Sequence, residues 1–383
     1  MSALLVQGQK EELFARMLSK GSLETESFSG DANVGGCVVS VEGGSAKSVP
    51  FGLNVVVDSP AVADPRAAFP LQGGETAAHR RVDHYIAHGH GRLTTYKETR
   101  NGLVGVDYST KLSAYLSSGC ITARQVLHAI RRFETSPGGV ANDSTYWVIF
   151  ELLWRDYMRF YGIRFGRKMF HLGGAQGRAG RTKWPWHKDE AKFAAWQAGR
   201  TGYPVIDAHM RELLLTGFMS NRGRQIVASF LVRDLELDWR LGAEHFESLL
   251  VDHDVCSNYG NWQYAAGVGA DPREDRYFNI VKQAKDYDPA CEHIRLWVPE
   301  AAHLPDRILL DPRQLTPAQR QQFNIDPVKV LPVPVCSLMM DRSPKFALPV
   351  RGVEGGGDKP RIKGGGSGKK GHQHGFVKGR PSR

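Results

Sequence analysis

A mainly α fold is predicted for this 383-residue chain by three observations. Apolar residues recur three and four apart from about residue 75 to Trp297. No stretch there alternates with the period of two that a strand needs, and nothing repeats at the roughly 20- to 50-residue spacing of solenoids. The chain divides into an irregular segment over residues 1–68, a helical domain over 69–300, a Pro-punctuated extension over 301–350 and a tail over 351–383.

In order along the chain, residues 1–68 mix Gly- and Ser-rich runs with short Val runs and show no strand–helix alternation. Phe69 is the expected boundary. GGETAAHRRVDHYIAHG then opens the helical domain, with Glu75 near the helix start and Val82, Tyr85 and Ile86 apolar. Ser109, Thr110, Lys111, Leu112 and Ser113 precede a short helix. Their hydroxyls and amides fit a simple N-cap, favoured on capping preference alone, or a phosphate held at a helix N-terminus. On the helix starting near Asp143, Glu151 shares a stripe with Trp147, Trp154 and Met158. It is spaced either for an exposed pair with Arg155 or for desolvation by the two tryptophans, which would raise its pKa and leave it a proton to donate.

The Gly- and Arg-rich run from 165 to 185 reads as a surface loop able to graze nucleic acid. Asn221 to Tyr264 reads as a ligand site. Asn221, Arg224 and Gln225 face one space from the first turn of a helix that continues through Phe230 and Leu235 to Trp239. The stretch closes on Asp252, Asp254, Asn258, Trp262 and Tyr264. Arg224 can pair with Asp252, and a buried pair suits a site better than a core because it rarely adds stability over apolar packing. On the sequence alone Trp186, Trp196, Trp239 and Trp262 are core aromatics. The 301–350 extension is expected to wrap the surface, and the glycine-rich tail to be disordered.

An apolar fraction of 41% suits an ordinary globular core. Of the net charge of +10, seven lie in the tail, where nine Lys or Arg face only Glu354 and Asp358. That tail can attract phosphate without sequence preference. Five scattered cysteines without a CxxC pair indicate neither a zinc site nor a disulfide framework, so no metal is expected. No apolar run approaches the roughly 20 residues of a membrane helix. A soluble, intracellular monomer is the expectation, with chloroplast, mitochondrion and nucleus undistinguished.

NRGRQIVASFLVRDLELDWR followed by DHDVCSNYGNWQYAAGVGADPREDRYFN resembles the flavin-binding domain of photolyases and cryptochromes, from about Phe69 to Trp297. TYKETRNGL, STYWVIFELLWRDY and Tyr264 place the likeness nearest the cryptochrome DASH branch. The resemblance implies an all-helical FAD-binding domain and light-driven repair of cyclobutane pyrimidine dimers, with a preference for single-stranded or looped DNA. It assigns Tyr96, Ser109 to Ser113, Arg224, Asp252, Asp254 and Asn258 to FAD, with Asn258 facing flavin N5. Glu151, Trp154, Asn221, Gln225 and Tyr264 fall on the lesion side, and Arg222 on a DNA phosphate. Trp186, Trp239 and Trp262 match an electron-transfer triad. Relatives carry a Rossmann-like antenna domain that 68 residues cannot accommodate, so a methenyltetrahydrofolate antenna has no expected site. The alternatives are a blue-light photoreceptor that has lost repair and a nucleic-acid-binding protein, for DNA or RNA, acting through its tail.

Overall fold

The computed structural model describes residues 64–87, 92–177, 186–270 and 276–343; residues 1–63 of the irregular start and the basic tail read from the sequence lie outside these. Among the described residues the only strand-like pairing is one bridge between His187 and Leu237. No helix among them is long and apolar enough to cross a membrane.

Helix α1 (Glu75–Val82) continues as a π turn over Asp83–Ala87, which buries Tyr85 and Ile86. Two short helices follow, α2 (Tyr96–Thr99) and α3 (Ser113–Ser117). Helix α4 (Ala123–Thr135) starts at a Thr122/Gln125 capping box, which satisfies two end groups reciprocally, and turns Val126 and Ile130 inward. The 23-residue α5 (Asp143–Phe165) has its own capping box, Asn142 with Thr145, and ends where Gly166 takes φ 51. Ser144 ties its first turn to α2, accepting from the Lys97 amide and donating to Glu98.

Two apolar clusters result. One gathers α1, Tyr96, α4 and the start of α5 through Val148 and Ile149. The other gathers Tyr161 near the end of α5 with α6 (Glu190–Gln197), α7 (Pro204–Thr216), α8 (Asn221–Ser229), α9 (Trp239–Leu249), α10 (Val255–Ala266), α11 (Ile280–Tyr287) and α12 (Glu292–Trp297). Helix α5 therefore runs from one cluster into the other.

Three features depart from the sequence reading. The helix expected to run to Trp239 ends at Ser229, makes a π turn over Phe230–Asp234, and reverses at Glu236 (φ 57) before Asp238 caps α9. The break coincides with Arg233 and Asp234, both buried. Arg233 donates to the carbonyls of Arg276 and Ala265, and Asp234 accepts from Tyr277 and the Met339 amide. An apolar period carries no information about such charges. Second, the described part of the Gly/Arg-rich run is no simple surface loop: Met169 and Ala175 are buried. Gln263 pins both, donating to the Met169 carbonyl and accepting from the Ala175 amide. Third, the extension after residue 300 supplies the second cluster with Leu304, Ile308, Leu309, Ile325, Leu331 and Leu338 rather than merely wrapping it. Pro305 stands at the N-cap of one of its short helices, and Pro312 and Pro317 open two more helical turns.

Candidate functional site

A cavity of about 600 Å³ opens between the two clusters. On one side is the loop entering α3. Buried Arg81 holds that loop by donating to the carbonyls of Thr110 and Ser109 and to Asp107. Lys111 sits there at φ 55, a conformation disfavoured for a residue with a Cβ, and its Nζ lies 3.2 Å from the centroid of the Tyr108 ring. Burial pushes Lys111 down to about 6, and its ammonium nitrogen has no hydrogen-bond partner. Leu112 is the N-cap of α3 and no side chain caps that end, so the Ser and Thr hydroxyls are not consumed as a cap.

The opposite wall comes from α8 and α10. Ser220 caps α8, and Asn221, Arg224 and Gln225 all line the cavity from its first turns. Arg224 Nη2 donates to Asp252 Oδ2 at 2.8 Å. Burial would raise Asp252, but Arg224 outweighs it and holds the carboxyl below its ordinary value. Asp254 caps α10 by accepting from the Ser257 amide, a structural role the sequence reading did not give it. One turn on, Asn258 donates to the Ala243 carbonyl at 2.9 Å. Trp262, 2% exposed, closes this end against Phe246 and Trp196.

At the mouth, Trp154 stacks on Tyr157 and meets Tyr264 edge-on, with ring centroids 6.1 Å apart at 89°. Arg276 donates to the Tyr264 hydroxyl. Glu151 stands below, half-buried. Its cation is Arg100, not the sequence-adjacent Arg155, which instead donates to the Leu116 carbonyl. Burial pushes the Glu151 carboxyl up despite Arg100.

The cavity thus gathers Tyr96, Ser109 to Ser113, Glu151, Trp154, Asn221, Arg224, Gln225, Asp252, Asp254, Asn258, Trp262 and Tyr264. Arg222, Trp186 and Trp239 lie outside it. Arg222 donates to Asn101 and lies 4.4 Å from the Tyr287 ring centroid. Trp239 is fully buried and donates to the Leu172 carbonyl. Trp186 is half-buried beside the His187–Leu237 bridge, two residues before Trp239. Sequence reasoning missed Arg81, Arg100, Phe246 and Gly242. Only Gly242 left a signal, a glycine inside an apolar helix, and the space is needed because Trp262 lies against it.

Four arginines, Arg100, Arg155, Arg224 and Arg276, and the buried amine of Lys111 share this lining with three carboxylates. Besides the Lys111 nitrogen, Gln225 Oε1 and Asp252 Oδ1 are buried without partners. A large, anionic, partly aromatic ligand fits such a site. The family described as the FAD binding domain of DNA photolyase matches residues 147–346, just over half the chain. The chain belongs to the photolyase/cryptochrome family. FAD is the cofactor of this family's helical domain, and the residues present fit it. Cryptochrome DASH of Xenopus laevis is 52% identical over 272 residues, which are 71% of this chain and 51% of that one. The Synechocystis sp. PCC6803 cryptochrome structure superposes with a TM-score of 0.68 at 48% identity, covering 73% of this chain and 56% of that one. An archaeal photolyase from Sulfolobus tokodaii, solved with two FAD molecules, gives 0.56 at 29% identity, covering 71% and 54%. The chain spans about half the length of the photolyase/cryptochrome relatives it matches.

Proposed function

We propose that this chain repairs cyclobutane pyrimidine dimers in single-stranded or looped DNA under light. The observation that carries the reading is the right-angled corner of Trp154 and Tyr264 above Glu151, at the mouth of the FAD cavity. Bound FAD supplies light-driven one-electron transfer. The Ser109–Ser113 loop and Lys111 hold its diphosphate, Arg224 and Asp252 bind its polar edges, and Asn258 faces the isoalloxazine. A dimer must leave the base stack to reach the mouth, and damaged bases cost less to unstack than intact pairs. Trp154 and Tyr264 then offer it two faces at right angles. Glu151, pushed toward its protonated form, and the amides of Asn221 and Gln225 donate to carbonyls that gain negative charge during ring splitting. The basic tail, outside the described residues, adds affinity for DNA or RNA without choosing sequence.

A photoreceptor reading is favoured by one contact, since the Arg100 ion pair opposes protonation of Glu151. The deciding experiment illuminates the flavin-loaded, chemically reduced chain with dimer-containing oligothymidylate and follows recovery of thymine absorbance. Repair of single-stranded substrate is expected. Flavin photochemistry with no dimer loss would replace repair with signalling.

A further inference from the structure

A second polar cluster, unused by the chemistry above, lies where α7 meets α12. His209 and Glu212, three residues apart on α7, face His293 of α12, and all three are at most 1% exposed. Glu212 Oε2 lies 3.0 Å from His293 Nε2 and 4.0 Å from His209 Nδ1, and the two imidazole centroids are 4.4 Å apart. One donor atom from each residue falls within 4.8 Å of the others. Both nitrogens of His209, Glu212 Oε1 and His293 Nδ1 have no hydrogen-bond partner. Buried polar atoms are almost always paired, so four unpaired together in one place call for an occupant. The fold also makes room for the ring. A Cβ at Gly223 of α8 would stand 2.6 Å from His209 Nδ1.

We propose that His209, Glu212 and His293 bind one divalent transition-metal ion of the zinc class. Two imidazole nitrogens and a carboxylate oxygen make a three-ligand set, with water in the fourth position. A tetrahedral ion with bonds of about 2.0–2.1 Å holds its ligands roughly 3.4 Å apart. The observed 3.0 and 4.0 Å from Glu212 lie on either side of that spacing, and the three donor atoms, all within 4.8 Å of one another, would draw together around the ion. Calcium and magnesium are disfavoured, because they need six or more oxygens. The ion would tie α7 to α12 and brace the first turn of α8, which lines the cavity. No local spacing in the sequence marks this cluster, because His293 lies 81 residues from Glu212.

The test uses the full flavin-loaded chain, stripped with a chelator and equilibrated to constancy with Co²⁺ and then Zn²⁺. His372→Gln and His374→Gln are introduced first, so that the tail imidazoles cannot bind metal. One equivalent of Co²⁺ giving a four- or five-coordinate visible spectrum, displaced by one equivalent of Zn²⁺, is expected. In that background Glu212→Gln or His293→Gln should weaken binding at least about 100-fold, the upper range for losing merely an outer partner. Absence of saturable one-equivalent binding overturns the site, as does an unchanged cobalt spectrum in either variant. If both variants fail to retain flavin, the spectrum and stoichiometry of the tail-substituted protein alone decide.

Discussion

Gly242→Ala should destabilise the protein, although substituting a glycine inside a helix ordinarily does the reverse. A Cβ built at Gly242 stands 2.2, 2.6 and 2.7 Å from Cη2, Cζ3 and Cζ2 of Trp262. The ring edge would have to retreat more than 1 Å to reach an ordinary contact of 3.4 Å. Phe246 and Trp196 pack around that ring, leaving the cavity as the direction of escape. Alanine gains about 0.8–1.0 kcal/mol of helix propensity, whereas overpacking typically costs about 1–3 kcal/mol. With three clashing atoms on a buried ring the upper end applies, for a net loss of about 2 kcal/mol. At about 2–4 °C per kcal/mol, the thermal midpoint should fall by about 4–8 °C, and the displaced indole should lower flavin occupancy. Phenylalanine lacks those three atoms, so Gly242→Ala combined with Trp262→Phe should recover about 1–3 kcal/mol relative to the sum of the single variants. Thermal unfolding and the flavin-to-protein absorbance ratio of the four proteins measure this. A Gly242→Ala protein as stable as wild type, or strictly additive effects, would refute the argument.

Lys111, neutral above about pH 6 in the free cavity, should regain its proton beside a diphosphate. Flavin binding at pH 7–8 should therefore take up close to one proton, and calorimetry in buffers of different ionisation enthalpy reads it. The proton-linked affinity is complete below the free-state pKa and is lost as pH rises through the higher bound-state value; buffer-independent heats would contradict this. Glu151→Ala and Asn221→Ala should each slow dimer repair about tenfold or more, the loss of one charge-assisted hydrogen bond at about 1.5–3 kcal/mol, with flavin still bound. Normal repair in both would end that assignment. Trp239→Phe and Trp262→Phe should block photoreduction of oxidised flavin yet permit repair after chemical reduction, and wild-type photoreduction in both would remove them from the electron path.

The helical class was legible because periodicity is local, and so was the convergence of Asn221, Arg224 and Gln225, which one helix turn enforces. Their meeting with Ser109 to Ser113, Glu151 and Tyr264 came from linked motifs rather than from any single spacing. Other features were not encoded locally. Glu151 takes Arg100, just past the end of α2, in preference to Arg155 one turn away, because side-chain pairing follows the tertiary surface. The π turn at Phe230–Asp234 answers to partners more than thirty residues distant, the Ala265 carbonyl and the Met339 amide. Gly242 shows the limit from the other side: its sequence signal was visible, but only the position of Trp262 says what the missing side chain is for.

The cavity between the two apolar clusters makes the cofactor part of the protein's interior. Buried Val126 and Val148 on one side and Phe246 and Leu250 on the other line it. Folding and flavin supply are then a single linked equilibrium, because a ligand that binds only the native state adds about 2.7 kcal/mol at a hundredfold excess over its Kd. The amount of intact protein in a cell should follow the availability of flavin as well as the rate of synthesis. A chain made when flavin is scarce would be cleared by proteolysis as a hollow shell, whatever the quality of its active-site residues.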